Sequence, residues 1–149
     1  AVPCNTAHFF IDRFKDELPV PVVHIIEETV KAAATLSPKG AWLTATLGTM
    51  GSGLYQKEAE RQGYSFFNPP EEAQRQVQRS IELVKSGKKD EGGRLLKGVV
   101  EGLWRERDLP VCAACTELPL AYDASGLPQE RTVSSLGALC GACLRRIYG

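Results

Sequence analysis

The feature that most constrains the fold is an alternation of short apolar runs with longer amphipathic segments. The apolar runs are residues 20–26, 41–47, 64–67 and 109–115. Strands that are apolar on both faces are typical of a parallel sheet covered by helices, because neither face meets water. Residues 71–85 and 90–107, between these runs, have the spacing of amphipathic helices. The sequence therefore predicts an α/β fold built on parallel strands.

The remaining segments complete a coarse map of the chain. Residues 2–4 resemble the end of a strand, and residues 131–134 resemble a short one. Residues 119–130 show no periodicity and are predicted to be irregular. Helical spacing of apolar residues predicts four further helices. These lie at residues 7–18, 27–36, 54–62 and 135–147.

Charge and cysteine content exclude several classes of protein. The 149 residues include 18 basic and 18 acidic side chains, so charge offers no attraction to nucleic acid or to an anionic membrane. No apolar run is long enough to span a bilayer. Five cysteines are an odd number, and no secretory signal opens the sequence. We therefore expect reduced thiols and a cytoplasmic location.

Polar residues follow three of the predicted strands. Cys4, Thr49 and Cys115 stand at or just after strand ends, and hydroxyl or amide side chains follow both cysteines. Ligands bind beyond the carboxyl ends of strands in such sheets. Backbone N–H groups at a following helix would bind a carboxylate and lower the pKa of a nearby thiol. A free cysteine is nonetheless often a small buried hydrophobe, so the pattern leaves both interpretations open.

A zinc site is the competing interpretation of the cysteines. Cys112 and Cys115 form one C-x-x-C pair, and Cys140 and Cys143 form another. This spacing is typical of a zinc ribbon. However, positions three apart in a strand point to opposite faces, so Cys112 and Cys115 should diverge. The second pair fits an apolar helical stripe. We therefore expect no metal site, and keep a zinc- or partner-binding fragment as an alternative.

Four motifs together resemble the PLP-independent aspartate/glutamate racemase family, in its order and spacing over nearly the whole chain. They are Cys4-Asn5-Thr6-Ala7-His8, residues 23–29 (VHIIEET), residues 43–56 (LTATLGTMGSGLYQ) and residues 115–120 (CTELPL). Glu117 resembles the aspartate racemase branch, since glutamate racemases typically carry His there. The same fold also houses maleate isomerases, hydantoin racemases and decarboxylases, and a maleate isomerase stays an alternative.

The resemblance implies a site and a reaction. Cys4 and Cys115 would be the catalytic pair that moves a proton between the two faces of an α-carbon. Glu117 and His8 would support them, although we expect His8 and His24 to be structural histidines. The substrate would be a dicarboxylic amino acid, aspartate before glutamate. No cofactor, nucleic acid or membrane would take part, and the assembly would be a homodimer. Asn5, Thr6, Thr49, Thr116 and Lys85 would bind the substrate, with Lys85 near its side-chain carboxylate.

The resemblance also implies two α/β lobes with parallel sheets, the first of them incomplete here. Residues 1–25 would belong to the first lobe, residues 26–117 would form the second, and residues 118–149 would return to the first with a final helix. The family's opening βα units have no counterpart in this sequence, so we expect an N-terminally truncated relative. The family usually carries Asp before a small hydroxyl residue, and Val133-Ser134-Ser135 departs from that.

Overall fold

A four-stranded, fully parallel sheet forms the centre of the protein. The computed structural model describes residues 1–149 throughout. The strands are β1 (Ala41–Ala45), β2 (Phe66–Phe67), β3 (Val111–Ala114) and β4 (Thr132–Ser134), in the spatial order β2-β1-β3-β4. The register places Ala45 beside Ala114, so β1 and β3 end at the same edge. The predicted α/β fold on parallel strands is confirmed.

Eight helices surround this sheet, and none is long and apolar enough to cross a membrane. Two 3-10 turns, Lys15–Glu17 and Gln129–Arg131, lie between them. The helices are α1 (His8–Ile11), α2 (Ile25–Leu36), α3 (Leu47–Ser52), α4 (Leu54–Arg61), α5 (Glu71–Lys85), α6 (Lys89–Glu106), α7 (Leu118–Ser125) and α8 (Ser135–Tyr148).

Two hydrophobic cores cover the two faces of the sheet. Leu43, Cys112 and Val133 point into one core, together with residues of α2, α4 and α8. Trp42 and Val111 point into the other, with residues of α5, α6 and α7. Successive strand residues alternate between the cores because side chains in a strand alternate between faces. Both faces of the sheet are therefore dry, as the unbroken apolar runs predicted.

The predicted strand at residues 20–26 is wrong. Val20 lies in a bend, no neighbouring strand pairs with the segment, and α2 already begins at Ile25. His24 is the N-cap of that helix, and its Nδ1 accepts from the backbone N–H of Glu27 at 3.4 Å. Residues 2–4 are likewise unpaired. An apolar composition favours extension, but a strand also needs a partner for its backbone groups.

Two other segments differ from the sequence map. Residues 119–130 are not irregular, because α7 occupies Leu118–Ser125, with Pro119 in its first turn and Gly126 (φ 69°) closing it. These are ordinary helix boundary signals. The predicted helix at residues 7–18 is shorter, consisting of α1 and a 3-10 turn at Lys15–Glu17.

Residues 118–149 contribute both to the sheet and to its covering. β4 pairs with β3, and the N-terminal half of α8 packs into the core beneath α2. This arrangement fixes the distance between the end of β3 and the start of α8. The assignment of residues 1–25, 26–117 and 118–149 to two lobes stays a prediction.

Candidate active site

The candidate site lies at the edge where β1 and β3 end. Thr46 follows β1 and Cys115 follows β3, and the N-terminal segment around Cys4 crosses in front of both. Together they enclose a cavity of about 180 Å³. Its lining consists of Cys4, Asn5, Thr6, Thr46, Thr49, Lys85, Ala114, Cys115, Thr116 and Glu117. Parallel strands bring their carboxyl ends to one edge, which is why segments far apart in sequence converge here.

The cavity brings together almost all of the residues singled out from the sequence. The two cysteines line it, and so do all five residues named for substrate binding and Glu117. His8 is not in the lining but lies behind Cys4. Thr46 was missed because the predicted strand 41–47 includes it, whereas β1 ends at Ala45. Proximity is what the structure establishes, and the catalytic and binding roles stay predictions.

Glu117 organises one wall of the cavity. Its Oε2 accepts from the Cys115 thiol at 2.9 Å and from the Thr116 hydroxyl at 2.9 Å. Its Oε1 lies 4.0 Å from Lys85 Nζ, at the end of α5. Lys85 is 57% exposed, so its ammonium remains free to reorient toward a ligand. A thiol, a hydroxyl and an ammonium thus share a single carboxylate.

The pKa of Cys115 is raised, not lowered as the strand-end argument predicted. Burial raises it most, and the hydrogen bond to the negative Glu117 raises it further, to about 12. Burial also acts to raise the pKa of Glu117, but the hydrogen bonds from Cys115 and Thr116 and the charge of Lys85 bring it below its ordinary value of 4.5. In the free protein Cys115 is therefore a neutral thiol that donates to an ionised carboxylate.

Three threonine hydroxyls form a second wall of the cavity. Thr49, only 1% exposed, lies 2.9 Å from Thr6 Oγ1 and 3.1 Å from Thr46 Oγ1. Thr46 also caps α3 by accepting from the Thr49 backbone N–H at 3.1 Å. The N-terminal segment and the β1–α3 turn are therefore joined through side-chain oxygens. A hydroxyl can donate to a carboxylate, so this wall suits an anionic ligand.

Asn5 is tied into the protein by both ends of its amide. Its Oδ1 accepts from the Tyr55 hydroxyl at 2.6 Å, and its Nδ2 donates to Ser135 Oγ at 3.0 Å. Asn5 is 4% exposed, and Tyr55 and Ser135 are fully buried. Tyr55 is thus a packing residue that also orients a residue of the site. Ser135 was not singled out, because nothing local links it to a residue 130 positions away.

The remaining cysteines do not assemble with Cys115. Cys112 points into the core beneath α2 and α8, whereas Cys115 packs on the α5–α7 side, as the strand geometry predicted. Cys140 is exposed, and Cys143 packs at the margin of the Cys112 core. No group of three or more His, Cys, Asp and Glu side chains is arranged to hold a metal ion. The zinc-ribbon alternative therefore lacks a ligand set.

A larger groove of about 710 Å³ lies between α2 and α8. It is open to solvent and is lined mostly by small residues, with Glu28, Lys31 and Arg145 at its margin. Glu28 is held there by Lys31 at 2.7 Å and by Arg145 at 3.2 Å. The groove contains none of the thiols of the candidate site, so its size alone does not make it the site of chemistry.

Comparison of the chain with known proteins identifies its family. The model of the Asp/Glu/hydantoin racemase family matches residues 1–139. The broad specificity amino-acid racemase RacX of Bacillus subtilis (strain 168) is 30% identical over 124 residues, which are 83% of this chain and 53% of that protein. The chain thus spans about half the length of this curated relative.

Two solved structures share the fold. The Picrophilus torridus aspartate racemase superposes with a TM-score of 0.80 at 24% identity, covering 97% of this chain and 59% of that chain. The glutamate racemase isoform RacE1 from Bacillus anthracis gives a TM-score of 0.70 at 19% identity, covering 98% and 57%. By the extent of the family match, the chain belongs to the Asp/Glu/hydantoin racemase family.

Proposed function

We propose that the cavity between Cys4 and Cys115 racemises an acidic amino acid by cofactor-independent transfer of protons between two thiols. The observation that carries the proposal is the convergence of these two cysteines, 111 positions apart, on one small cavity lined by hydroxyl groups. Ligand pockets for drug-sized molecules are ~300–1,000 Å³. A cavity of about 180 Å³ suits a ligand as small as an amino acid.

The reaction needs one base and one acid on opposite faces of the α-carbon. A thiolate removes the α-hydrogen as a proton, and the electron pair stays on the α-carbon and its carboxylate. The thiol on the other side delivers its own proton to the opposite face. The product leaves with inverted configuration, and the two cysteines have exchanged protonation states. No electron, leaving group or co-reactant is required, so the protons balance within the pair.

The neutral state of the Cys115 thiol supports its role as the acid in the free protein. Its thiol proton is held toward Glu117, and its pKa is raised to about 12. Cys4 then acts as the base for one enantiomer, and the roles reverse for the other. After one turnover Cys115 is the thiolate and Cys4 is the thiol, which is the protonation state that the opposite enantiomer requires.

The substrate carboxylates would bind to the two walls of the cavity. The hydroxyls of Thr6 and Thr49 can donate to the α-carboxylate, where charge develops in the transition state. The hydroxyl of Thr116 can join them only by turning away from Glu117, to which it donates in the free protein. Asn5 contributes the remaining N–H of its amide, since the other N–H and its carbonyl are occupied by Ser135 and Tyr55. Lys85 supplies the positive charge for the side-chain carboxylate. Aspartate is the favoured substrate, by the resemblance at Glu117 and the small cavity.

Conversion of L-aspartate to D-aspartate by the purified protein, followed by chiral chromatography, tests this function. Cys4→Ser and Cys115→Ser should each abolish conversion, whereas Cys140→Ser, an exposed thiol on α8, should leave it intact. Hydroxylamine, which traps PLP, should have no effect. Because RacX is named a broad specificity enzyme, glutamate and neutral amino acids belong in the same panel. Faster conversion of a neutral amino acid would contradict the proposed substrate class.

The family resemblance also leads us to propose a homodimer. Sedimentation analysis at several protein concentrations measures this directly, and a monomer at all of them would contradict it.

A further inference from the structure

Two buried histidines lie against each other directly behind Cys4. His8, in α1, has no exposed surface, and His24, just before α2, is 8% exposed. Their ring centroids are 4.4 Å apart, with the rings edge to face. Neither side chain lines the cavity. Two titratable rings in contact within a core call for an explanation, because burying a charge there costs free energy.

The hydrogen bonds define the protonation state of His8. Its Nδ1 lies 2.8 Å from the backbone oxygen of Cys4. A carbonyl oxygen only accepts, so Nδ1 carries the proton and the neutral ring keeps a lone pair on Nε2. That Nε2 is buried and has no hydrogen-bond partner. A second proton on Nε2 would therefore create an unpaired charge inside the protein.

His24 is fixed from the other side. Its Nε2 donates to Asp12 Oδ1 at 3.0 Å, and its Nδ1 accepts from the Glu27 backbone N–H at 3.4 Å. Asp12 is itself held by Lys15 at 3.2 Å. Both nitrogens of His24 are thus engaged, and its ring supports His8 in one orientation. The other charged groups around the pair are Glu27 on α2, Lys57, Glu58 and Arg61 on α4, and the terminal amino group of Ala1.

We propose that His8 is a positioning residue for Cys4. The neutral His8 ring holds the carbonyl of Cys4 and thereby the direction of its thiol, while His24 and Asp12 hold His8 in place. The role assigned to Cys4 rests on the proposed function. The hydrogen bond between His8 and Cys4, and its response to protonation of His8, are independent of that function.

The surroundings of His8 determine how this contact responds to acid. Burial lowers the pKa of His8 most, the hydrogen bond to Cys4 opposes that effect, and the neighbouring His24 lowers the pKa further. The net pKa lies below the ordinary value of 6.5. A lowered histidine pKa means that the unfolded chain takes up the proton first. The contribution to stability is therefore complete above pH 6.5 and is lost as the pH falls toward the pKa of the folded state.

Carbon-13 NMR of the wild-type protein labelled at cysteine carbonyls tests the contact without any variant. The Cys4 carbonyl resonance should shift in one step, with a midpoint below 6.5 that coincides with the titration of the His8 ring. The carbonyl of Cys140, far from the pair, serves as the reference. A Cys4 resonance that stays constant while His8 titrates would overturn the proposal.

Two variants separate positioning from packing. His8→Asn keeps an N–H donor near the place of Nδ1 but cannot titrate, so the Cys4 carbonyl should keep its resonance at neutral pH and lose its pH dependence. His8→Phe fills the space without a donor. We expect kcat to fall about 100-fold in His8→Phe, as for a misplaced catalytic group, with KM nearly unchanged and most of kcat restored in His8→Asn.

Equal losses of kcat in the two variants would contradict the proposal, because the donor would then be irrelevant. A protein without racemase activity whose Cys4 carbonyl follows His8 would support the positioning contact and refute the proposed function. Failure of the positioning proposal and failure of the proposed function therefore give different results.

Discussion

At the scale of single residues, Glu117 adds to the effect of burial on the pKa of Cys115. Its negative charge and hydrogen bond raise the pKa of that thiol beyond the effect of burial. Glu117→Gln should therefore lower the pKa of Cys115 and increase the thiolate fraction at pH ~8, about tenfold for each unit of change. The rate of alkylation of Cys115 by iodoacetamide, measured peptide by peptide, reports that fraction.

The exposed Cys140 provides the internal reference for this experiment, and Glu130→Gln provides the matched variant. Glu130 is an exposed carboxylate outside the cavity. Its replacement should leave the ratio of the Cys115 rate to the Cys140 rate unchanged. If Glu117→Gln also leaves this ratio unchanged, burial alone sets the pKa of Cys115, and the expected contribution of Glu117 is wrong.

Lys85 offers a second test at this scale. Replacing it with Met keeps the length of the side chain and removes the charge, so KM for aspartate should rise about tenfold, the lower end of a charge-assisted hydrogen bond. We take the lower end because Lys85 is 57% exposed. Lys88→Met, three residues further along and outside the cavity, should leave KM unchanged. Equal KM values in the two variants would show that Lys85 does not bind the substrate.

At the scale of elements, the contact between α6 and α7 supports the Cys115 wall. α7 begins directly after Glu117, and a Cβ on Gly93 of α6 would lie 2.8 Å from Ala124 of α7. Gly93→Ala gains about 1 kcal/mol of helix propensity but forces the two helices apart. We expect a net loss of about 1–3 kcal/mol in the free energy of unfolding.

Gly98→Ala is the matched control on the same helix. A Cβ there meets nothing within 4 Å, so propensity alone operates and stability should rise by up to about 1 kcal/mol. Urea unfolding of both variants measures the difference. A stabilised Gly93→Ala variant would show that α6 and α7 are not in close contact.

The elements also show what a sequence can predict. α5 has the predicted bounds, because its apolar positions recur with helical spacing over four turns. α7 was missed because residues 119–130 show no helical periodicity, although Pro119 fits the first turn of a helix. The strand at residues 20–26 was wrong because pairing depends on neighbours that composition does not reveal. The cavity residues were foreseeable from strand ends, but the Tyr55–Asn5–Ser135 contacts join residues 50 and 130 positions apart.

At the scale of the whole molecule, stability should fall on both sides of neutrality. Burial opposes ionisation of Asp12, Glu58 and Glu117, but hydrogen bonds and nearby cations keep each pKa below its ordinary value. These contributions are present above the ordinary values of 3.8 and 4.5 and are lost as the pH falls below them. As the pH is lowered, the contribution of His8 to stability is lost first, beginning below pH 6.5.

The buried thiols determine how stability changes at alkaline pH. Burial, together with Glu117, raises the pKa of Cys115 from 9.0 to about 12, and burial also raises that of Cys112. The unfolded chain therefore releases these protons first, and stability declines as the pH rises above 9.0. Urea unfolding across the pH range should show both declines. Cys115→Ser should reduce the alkaline one, and a stability that stays level up to about pH 11 would contradict the burial of these thiols.

In the proposed mechanism, Cys4 and Cys115 exchange protons with one α-carbon from opposite faces. Incorporation of solvent deuterium at the α-position of aspartate in D₂O, followed by proton NMR, tests this mechanism most directly. We expect incorporation by the wild-type protein and by Cys140→Ser, and none that leads to the inverted enantiomer in Cys4→Ser or Cys115→Ser. Deuterated, inverted aspartate formed by either of those variants at the wild-type rate would contradict it.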